Sequence, residues 1–383
     1  MISDTLAADL ADIDARALRR VRRVIGSPQG PRVEVEGRQF LNFCSNDYLG
    51  LASDPEVIAA AAEGAGIWGV GAGASHLVSG HSEAHHALET TLAQHVGQDR
   101  ALLFSSGYQA NIGLVTALAG RGDTVYADRL NHASLNDAAL LSRATLRRYS
   151  HGDVSALERL LAERPDGRKI IVTDAVFSMD GDIAPLPRLL ELAETHDAWL
   201  IIDDAHGYGV LGERGAGSLA HFHIRSPRIA YMATLGKAAG VSGAFVAGSD
   251  TLIEWLIQRA RTYIYTTAMS PLLAYALSCS VKKVSTEQWR RDQLRSLVAL
   301  LRGRLSGSRY RLMPSETPIQ PLVVGSNEAA LDLAARLAGQ GVMVPAIRPP
   351  TVPANTARLR ISISATHSVD DVGRLADSLL SLA

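Results

Sequence analysis

A lysine without charged neighbours is the first candidate for chemistry. Lys237 lies in the stretch YMATLGKAAGVSGA (231–244), in which no other residue carries a charge. A lysine in a tight, uncharged environment loses hydration, so its pKa falls and its amine becomes usable as a nucleophile and a base. The small residues around it leave room for a flat ring against the backbone. A lysine that extends from a loop into solvent is the alternative interpretation.

Two carboxylates and a histidine follow the apolar run AWLII (198–202). Asp203 lies at the buried end of this run, where a carboxylate is costly unless something cationic pairs with it. Asp203 is therefore a candidate partner for a bound cation. Asp204 is expected to cap the segment after it, and His206 follows two residues later.

Small residues follow another apolar run, ALLF (101–104). In SSGYQAN (105–111), Gly107 and Tyr108 would present backbone N–H groups at the start of a helix, which suits a phosphate. A plain capping turn is the alternative, and the spacing of a Walker A loop is absent. A phosphate cradle, a strand-end aspartate and a strand-end lysine together suit pyridoxal phosphate. His132, after TVYAD (124–128), could stack on its ring, or could be a packed or capping residue.

The segment GVGAGASHLVSGH (69–81) is dense in glycine and is followed by more histidines. It does not fit a dinucleotide-binding fingerprint, because no apolar strand precedes it and GxGxxG is not met. Close backbone approach to a ligand and a flexible loop remain equal alternatives. Four histidines lie close together in the sequence: His76, His81, His85 and His86. There is neither an HExxH motif nor a nearby cysteine, so no metal site is expected.

Alternating helices and short apolar runs must position these residues. Runs this short between helices indicate strands buried on both faces of a mostly parallel sheet. The predicted helices are 83–96, 109–119, 153–163 and 186–196, and the predicted strands are 101–104, 124–128, 169–177, 198–206 and 229–236.

The two ends of the chain have different patterns. Residues 4–25 predict a helix whose arginines are clustered towards its C-terminal end. The cluster indicates either favourable charge at a helix C-terminus or a binding site for an anion. Residues 32–43 alternate like a hairpin that turns at Glu36-Gly37. Residues 251–307 look mostly helical, and the remainder mixes strands and helices. We expect an arm (1–48), a large domain (49–280) and a small α+β C-terminal domain (281–383).

Composition limits the classes of function. The 383 residues are 47% hydrophobic and 20% charged, as in ordinary globular proteins. The formal net charge of −1 provides no overall field for nucleic acid or for an anionic membrane. Cys44 and Cys279 form no CxxC pair, and there is no signal-peptide pattern or membrane-length apolar run. A cytoplasmic protein without nucleic-acid or membrane partners is expected.

With these residues in view, the chain resembles the α-oxoamine synthases, which are fold-type I pyridoxal-phosphate enzymes. They condense an amino acid with an acyl thioester and lose CO2. The resemblance runs nearly end to end, through the glycine-rich 69–81 segment, SSGYQAN and TLGKAAGVSGA (234–244). Further matching segments are LNFCSNDYLGL (41–51), DRLNHAS (128–134), DAVFSMDGDIAPL (174–186), DDAHGYGVLG (203–212), YIYTTAMSP (263–271), TPIQPLVVG (317–325), AIRPPTVP (346–353) and RLRIS (358–362).

The resemblance implies a role for each matching residue. Lys237 would hold the cofactor by a Schiff-base link and later move protons, Asp203 would pair with the ring nitrogen, and His132 would stack on the ring. The implied contacts to the phenolic oxygen region are His206 and Ser178, and those to the phosphate are Thr234, Gly107, Tyr108 and, from the partner subunit of a homodimer, Thr266 or Thr267. The implied substrate residues are Arg360 and Asn46 for a carboxylate, Thr351 nearby, and Arg20 for the acyl group, its register open among Arg19, Arg20 and Arg22.

The residues within the matching motifs also imply the substrates. SHLVSGH (75–81) stands where sister enzymes usually carry an arginine, which favours the member that joins L-alanine to a pimeloyl thioester on CoA or on an acyl carrier protein. Three alternatives stay open: a sister enzyme using glycine or serine, a fold-type I aminotransferase, and a binding protein without activity.

Overall fold

The computed structural model describes residues 2–163 and 166–383. The chain divides into two units, each with its own internal packing. The larger unit comprises Leu49–Ser178 and Ile183–Arg291, and the smaller unit comprises Met1–Tyr48, Met179–Asp182 and Asp292–Ala383. The predicted domain boundary at 280 falls inside a continuous helix, Pro271–Thr286, and the structure divides at Arg291–Asp292 instead.

The strands are numbered in chain order. They are β1 (Arg32–Val35), β2 (Arg38–Asn42), β3 (Arg100–Phe104), β4 (Thr124–Asp128), β5 (Thr145–Tyr149), β6 (Lys169–Asp174), β7 (Ala198–Asp203), β8 (Ile229–Thr234), β9 (Ala244–Gly248), β10 (Ile319–Gly325), β11 (Val342–Met343), β12 (Ala346–Ile347) and β13 (Ala357–Ser362).

The helices follow the same convention. They are α1 (Ile2–Ala15), α2 (Pro55–Trp68), α3 (Glu83–Val96), α4 (Gly107–Leu118), α5 (Ala133–Ser142), α6 (Val154–Ala162), α7 (Leu186–Thr195), α8 (Ser218–Phe222), α9 (Asp250–Arg259), α10 (Arg261–Ile264), α11 (Pro271–Thr286), α12 (Gln288–Leu305), α13 (Asn327–Gly339) and α14 (Val369–Ser381). Among the residues that the structure describes, none of the helices combines the length and the apolar character that crossing a membrane requires.

A seven-stranded sheet forms the centre of the larger unit, in the order β3-β9-β8-β7-β6-β4-β5. The neighbouring pairs from β8 to β5 are parallel, and β9 pairs antiparallel with both β8 and β3. Successive residues of β7 point to opposite faces: Leu200 packs in one apolar cluster with Leu88 of α3, and Ile201 packs in another with Leu114 of α4. The predicted mostly parallel sheet, covered by helices, is confirmed.

The smaller unit contains two short sheets. One is the antiparallel sheet β10-β13-β12, and the other joins β1, β2 and β11. The predicted hairpin forms, and Glu36 and Gly37 at its turn both have positive φ (50° and 75°), as a two-residue hairpin turn requires. The backbone N–H of Ser362 donates to the carbonyl of Phe43 at 2.9 Å, which joins the two sheets.

The predicted helix over residues 4–25 is wrong in its second half. α1 ends at Ala15, and Ala17 has a positive φ of 53°, which an α-helix cannot accommodate. Residues 18–24 have no regular structure. Arg16 directly follows α1, but the arginines from Arg19 onward lie beyond its C-terminus. For these later arginines the interpretation of helix-end stabilisation is wrong.

Candidate active site

Asp203 is the last residue of β7 and is only 3% exposed. Its Oδ2 accepts a hydrogen bond from Asn111 Nδ2 at 2.7 Å, and its Oδ1 accepts one from the backbone N–H of Ala205 at 3.0 Å. β7 lies between β6 and β8, so Asp203 is at the centre of the carboxyl edge of the parallel strands. Ligands bind beyond this edge in open α/β sheets; the position of Asp203 fits its predicted role, which stays a prediction.

Lys237 follows β8, the next strand of the sheet, and is half-buried. Its Nζ lies 2.9 Å from Nε2 of His206, which follows β7. One nitrogen of such a pair must donate and the other must offer a lone pair, so a charged Lys237 requires an unprotonated Nε2 on His206. The two residues are thus placed to hold and exchange a proton at the end of β7 and β8.

The turn around Lys237 is held by tightly packed backbone. The N–H of Gly240 donates to the carbonyl of Lys237 at 2.8 Å, and Gly240 has a φ of +70°. A Cβ at Gly240 would lie 2.4 Å from the backbone nitrogen of Ala52, so only glycine fits. The small residues seen in the sequence therefore fix the position of the lysine, besides leaving space near it.

His132 precedes α5, and two of its groups are held by the sheet and the helix. Its backbone N–H donates to Oδ2 of Asp174, the last residue of β6, at 2.7 Å, and its Nδ1 lies 2.7 Å from Oγ of Ser134. Although His132 is exposed, desolvation by the surrounding protein lowers its pKa, which Asp203 opposes. A neutral imidazole is therefore favoured next to Asp203.

The predicted phosphate residues come together from two segments. Gly107 begins α4, whose N-cap Ser106 accepts from the N–H of Gln109 at 3.2 Å. A Cβ at Gly107 would lie 3.8 Å from Cβ of Thr234, at the end of β8, so the two residues are neighbours. Tyr108 is 46% exposed, and its hydroxyl donates to Asp137. Backbone N–H groups at a helix N-terminus are suitable phosphate donors, whereas the hydroxyl of Thr234 donates to the carbonyl of Gly243 at 3.0 Å.

The remaining predicted cofactor residues lie at the surface of the larger unit or close to it. Ser178 is half-buried and ends the first segment of that unit. Thr266 is half-buried and Thr267 exposed, both just after α10. Their roles stay predictions.

The predicted substrate residues belong to the smaller unit. Arg360, which is 5% exposed, donates from Nη1 to Oδ1 of Asn46 at 3.0 Å and from Nη2 to the hydroxyl of Tyr48 at 3.3 Å. Arg360 and Asn46 are thus brought together. Thr351 and Arg20 are both exposed.

Arg348 connects the segments that carry Arg20 and Thr351. Its Nη2 donates to the carbonyl of Arg19 at 3.1 Å, and its own carbonyl accepts from the N–H of Thr351 at 3.1 Å. The extended arginine segment and the 346–353 segment therefore lie side by side, a contact that sequence reasoning did not identify.

Asp204 does not cap the segment after it. Its Oδ2 accepts from the hydroxyl of Tyr231 at 2.7 Å and from the N–H of Ser218 at 2.6 Å, and its side chain is fully buried. Burial raises the pKa of Asp204 to about 7. The expectation of a capping role is wrong, because the side chain of Asp204 bonds to Tyr231 and Ser218 and not to the backbone that directly follows it.

The histidines after the glycine-rich segment form a cluster. Nδ1 of His76 lies 2.9 Å from Nδ1 of His81. His85 accepts at Nδ1 from the N–H of Ser82, at 3.1 Å, and its Nε2 contacts the carbonyl of Met269 at 2.8 Å. Both ring nitrogens of His85 thus already serve the start of α3 and its packing. The expected absence of a metal site stays a prediction.

Three residues at this edge of the sheet escaped sequence reasoning: Asn111, Ser134 and Asp174. Asn111 lies four residues after Gly107, one helical turn into α4, and this spacing is the signal that could have placed it beside the strand ends. Asp174 ends the predicted run KIIVTD just as Asp203 ends AWLIID, and the two are register partners in β6 and β7.

These residues fit pyridoxal phosphate. A lysine amine, a buried strand-end carboxylate and a neutral imidazole lie at the same sheet edge as the Gly107–Thr234 pair. They match the Schiff-base, ring-nitrogen, stacking and phosphate functions that this cofactor needs.

Comparison with known proteins gives the family. Residues 38–379 match the family of class I and II aminotransferases. The chain is similar to 8-amino-7-oxononanoate synthases of Nitrosospira multiformis (61% identical, covering 95% of this chain and 92% of the relative), Herminiimonas arsenicoxydans (58%; 99% and 99%) and Nitrosomonas europaea (57%; 100% and 100%).

Solved structures share the fold at lower identity. A serine palmitoyltransferase of Sphingomonas wittichii is 29% identical with a TM-score of 0.93, covering 99% of this chain and 96% of that one. An 8-amino-7-oxononanoate synthase of Francisella tularensis is also 29% identical, with a TM-score of 0.79 over 90% and 97%. The predicted fold-type I transferase fold is confirmed, and the chain belongs to the class I and II aminotransferase family and, within it, to the 8-amino-7-oxononanoate synthases.

Proposed function

We propose that this protein uses pyridoxal phosphate to condense L-alanine with a pimeloyl thioester, releasing CO2, free thiol and 8-amino-7-oxononanoate, a step of biotin synthesis. The observation that carries the proposal is the pairing of Lys237 Nζ with His206 Nε2 at 2.9 Å, beside the buried Asp203. The names of the full-length relatives support the product, and a solved structure of SPT with PLP supports the cofactor.

Pyridoxal phosphate, when bound, supplies an electron sink for negative charge that develops on the α-carbon of the amino acid. Lys237 would hold it covalently and, once displaced by alanine, would take and return the α-proton. His206, 2.9 Å away, would receive or supply a proton at Lys237 Nζ during this exchange. Asp203 would provide the buried negative charge that keeps the ring nitrogen protonated.

The other residues would bind and orient. Gly107 and Thr234 would hold the phosphate, with His132 against the ring. Arg360 would bind a substrate carboxylate, supported by its hydrogen bond to Asn46. Arg20 and Thr351 lie on segments that Arg348 joins, and they would contact the acyl substrate.

A homodimer would complete the site through Thr266 or Thr267 of each partner subunit. Exposed apolar side chains on adjoining segments of the larger unit support this: Val70, Val78 and Tyr265 are each more than 70% exposed. The N–H of Ala268 donates to the carbonyl of Ala74 at 2.9 Å, so these segments lie next to each other. Exposed apolar patches mark interaction surfaces.

Thiol release from pimeloyl-CoA tests the proposal, with alanine, glycine and serine offered separately. We expect release only with alanine, accompanied by CO2. Release with serine or glycine from another acyl-CoA would refute the substrate assignment and leave the cofactor chemistry intact. If no thiol is released from pimeloyl-CoA, pimeloyl carrier protein is the donor to test next. If neither donor releases thiol, the proposed reaction is refuted.

The structural comparison alone does not choose between these substrates. The serine palmitoyltransferase and the 8-amino-7-oxononanoate synthase structures have the same 29% identity to this chain, and the former superimposes better. The higher identities of the full-length relatives, 57–61%, are what favours alanine.

A further inference from the structure

A buried asparagine connects Asp203 and His132, the two residues expected to contact the cofactor ring. Asn111 lies on α4 with no solvent exposure. Its Nδ2 lies 2.7 Å from Oδ2 of Asp203 and 2.8 Å from Oγ of Ser134. Ser134 is also fully buried, and its Oγ lies 2.7 Å from Nδ1 of His132. The four side chains form one continuous chain of hydrogen bonds.

The direction of each hydrogen bond follows from the chemistry of its ends. A carboxylate only accepts, so the NH2 group of Asn111 must face Asp203. Its second hydrogen then goes to Ser134, whose own hydroxyl hydrogen is left for Nδ1 of His132. The backbone N–H of Ser134 also points at this Nδ1, at 3.3 Å. Two donors therefore meet at Nδ1, and a neutral His132 carries its proton on Nε2.

We propose that Asn111 is a positioning residue that holds the Asp203 carboxylate and, through Ser134, fixes His132 as the Nε2–H tautomer. The inference rests on the proposed function, in which Asp203 and His132 meet the cofactor ring. It adds a residue that touches neither cofactor nor substrate.

An unsatisfied atom supports this role. Oδ1 of Asn111 is buried and makes no hydrogen bond. A buried carbonyl oxygen without a partner is destabilising, so an apolar side chain would fill this space at a lower free energy. Its NH2 group, which gives one hydrogen to each side, is the part that the site uses.

The charges around His132 make its tautomer relevant. Desolvation lowers the pKa of His132; Asp203 and Asp137 raise it, and Lys237 lowers it. Asp174 contacts the backbone N–H of the same residue. With the net shift downward, the imidazole is neutral near pH 7, and only the hydrogen bonds decide which nitrogen keeps the proton.

The test measures the titration of His132 directly. Diethyl pyrocarbonate modifies neutral imidazoles, and mass spectrometry of the peptide that contains His132 gives the rate at each pH, with and without cofactor. In Asn111→Asp, either protonation form of the new carboxyl group offers an acceptor to Ser134, so the hydroxyl turns away from His132. We expect the midpoint for His132 to rise by about one pH unit, and by less in Ser134→Ala, which removes the hydroxyl donor without adding a charge. A rise in Asn111→Asp with none in Ser134→Ala would come from the charge of the added carboxyl group and would overturn the inference.

A matched control lies on the same helix. Oγ1 of Thr116 donates to the carbonyl of Ile112 at 2.5 Å, within α4, so Thr116→Val should leave the His132 midpoint unchanged. An unchanged midpoint in Asn111→Asp, with the far-UV circular dichroism of the wild type, would overturn the inference. If Thr116→Val shifted the His132 midpoint as much as Asn111→Asp does, the shift would be a general packing effect of α4, and the inference would also be overturned.

Cofactor affinity separates the two arms of the network. Asn111→Leu removes the donor to Asp203, and we expect the dissociation constant of pyridoxal phosphate to rise about tenfold. Ser134→Ala keeps that donor, so we expect a change within about twofold. Equal effects of the two variants would contradict the separate arms. None of these measurements uses a substrate. They therefore test the role of Asn111 even if the protein does not catalyse the proposed condensation.

Discussion

Replacing Asp203 by asparagine changes more than a charge. Both carboxylate oxygens accept hydrogen bonds, Oδ2 from Asn111 at 2.7 Å and Oδ1 from the N–H of Ala205 at 3.0 Å. In Asp203→Asn one oxygen becomes an NH2 group, so a donor faces a donor unless Asn111 turns its own amide and gives up the hydrogen that it donates to Ser134. Leaving a buried donor unpaired costs about 1–3 kcal/mol. We expect the free energy of unfolding to fall by about this amount, and turnover to be almost lost.

A second substitution can separate the two effects. In the double variant Asp203→Asn with Asn111→Asp, the amide and the carboxyl group exchange places, and a donor again faces an acceptor. The hydrogen bond is restored, but the negative charge now lies on α4 and not at the end of β7. We therefore expect the double variant to recover most of the lost stability and none of the turnover.

Chemical denaturation of the four proteins in this double-mutant cycle measures the stability, and thiol release measures the turnover. Coupling of about 1 kcal/mol or more between the two positions is expected in stability. Recovery of turnover in the double variant would refute the reasoning, because the position of the charge would then not matter. Near-native turnover of Asp203→Asn alone would remove the ring-nitrogen role altogether.

Three further predictions concern the larger unit. Lys237→Ala should abolish turnover, and borohydride should label the Lys237 peptide in the wild type alone; label on another lysine would contradict the assignment. Lys283→Met removes the ammonium group that Asp54 (3.4 Å) and Glu287 (2.8 Å) share, but Asp54 keeps Arg290 at 2.9 Å, so we expect a cost of about 2 kcal/mol. Glu56→Gln, whose side chain is 74% exposed, should cost under about 1 kcal/mol in the same denaturation assay, and equal losses would contradict this. The raised pKa of Asp204, about 7, means that the folded state keeps a proton that the unfolded chain has lost. Stability should therefore fall by up to about 1.4 kcal/mol per unit as pH rises from about 4 to 7, and Asp204→Asn should remove this slope in melting temperature; an unchanged slope would show that Asp204 is not its source.

The sequence predicted the buried parallel strands of the central sheet that alternate with helices, such as β6 and β7. AWLIID and KIIVTD are short, apolar and bounded by polar residues, so Asp203 could be placed at a strand end before its surroundings were known. The edge strand β5, TLRRY, was missed because three of its five residues are exposed and it carries two arginines. β9, AFVAG, was missed because it pairs antiparallel and follows the Lys237 turn without an intervening helix.

The site was predictable where its residues follow strands, and it was not where a helix contributes. Asp203, Lys237 and Thr234 are located by the rule that parallel strands end at one edge. Asn111 has no such rule, because the face that a helical residue presents to the sheet depends on how α4 packs. The same limit applies to Asp204, whose partner Tyr231 lies on the neighbouring strand β8, opposite Ile202 and not opposite Asp204 itself.

The hydrogen-bond network adds a physical reason for these particular residue types. An acid such as Asp203 needs a donor that cannot itself become charged, and an amide meets that need where lysine or arginine would neutralise the carboxylate. The amide has a second hydrogen, and Ser134 passes its effect to His132. A cofactor ring between the strand ends and His132 would thus meet a negative charge and an oriented imidazole that are both set by one side chain. The titration midpoint of His132 in Asn111→Asp and in Ser134→Ala therefore tests these assignments most directly.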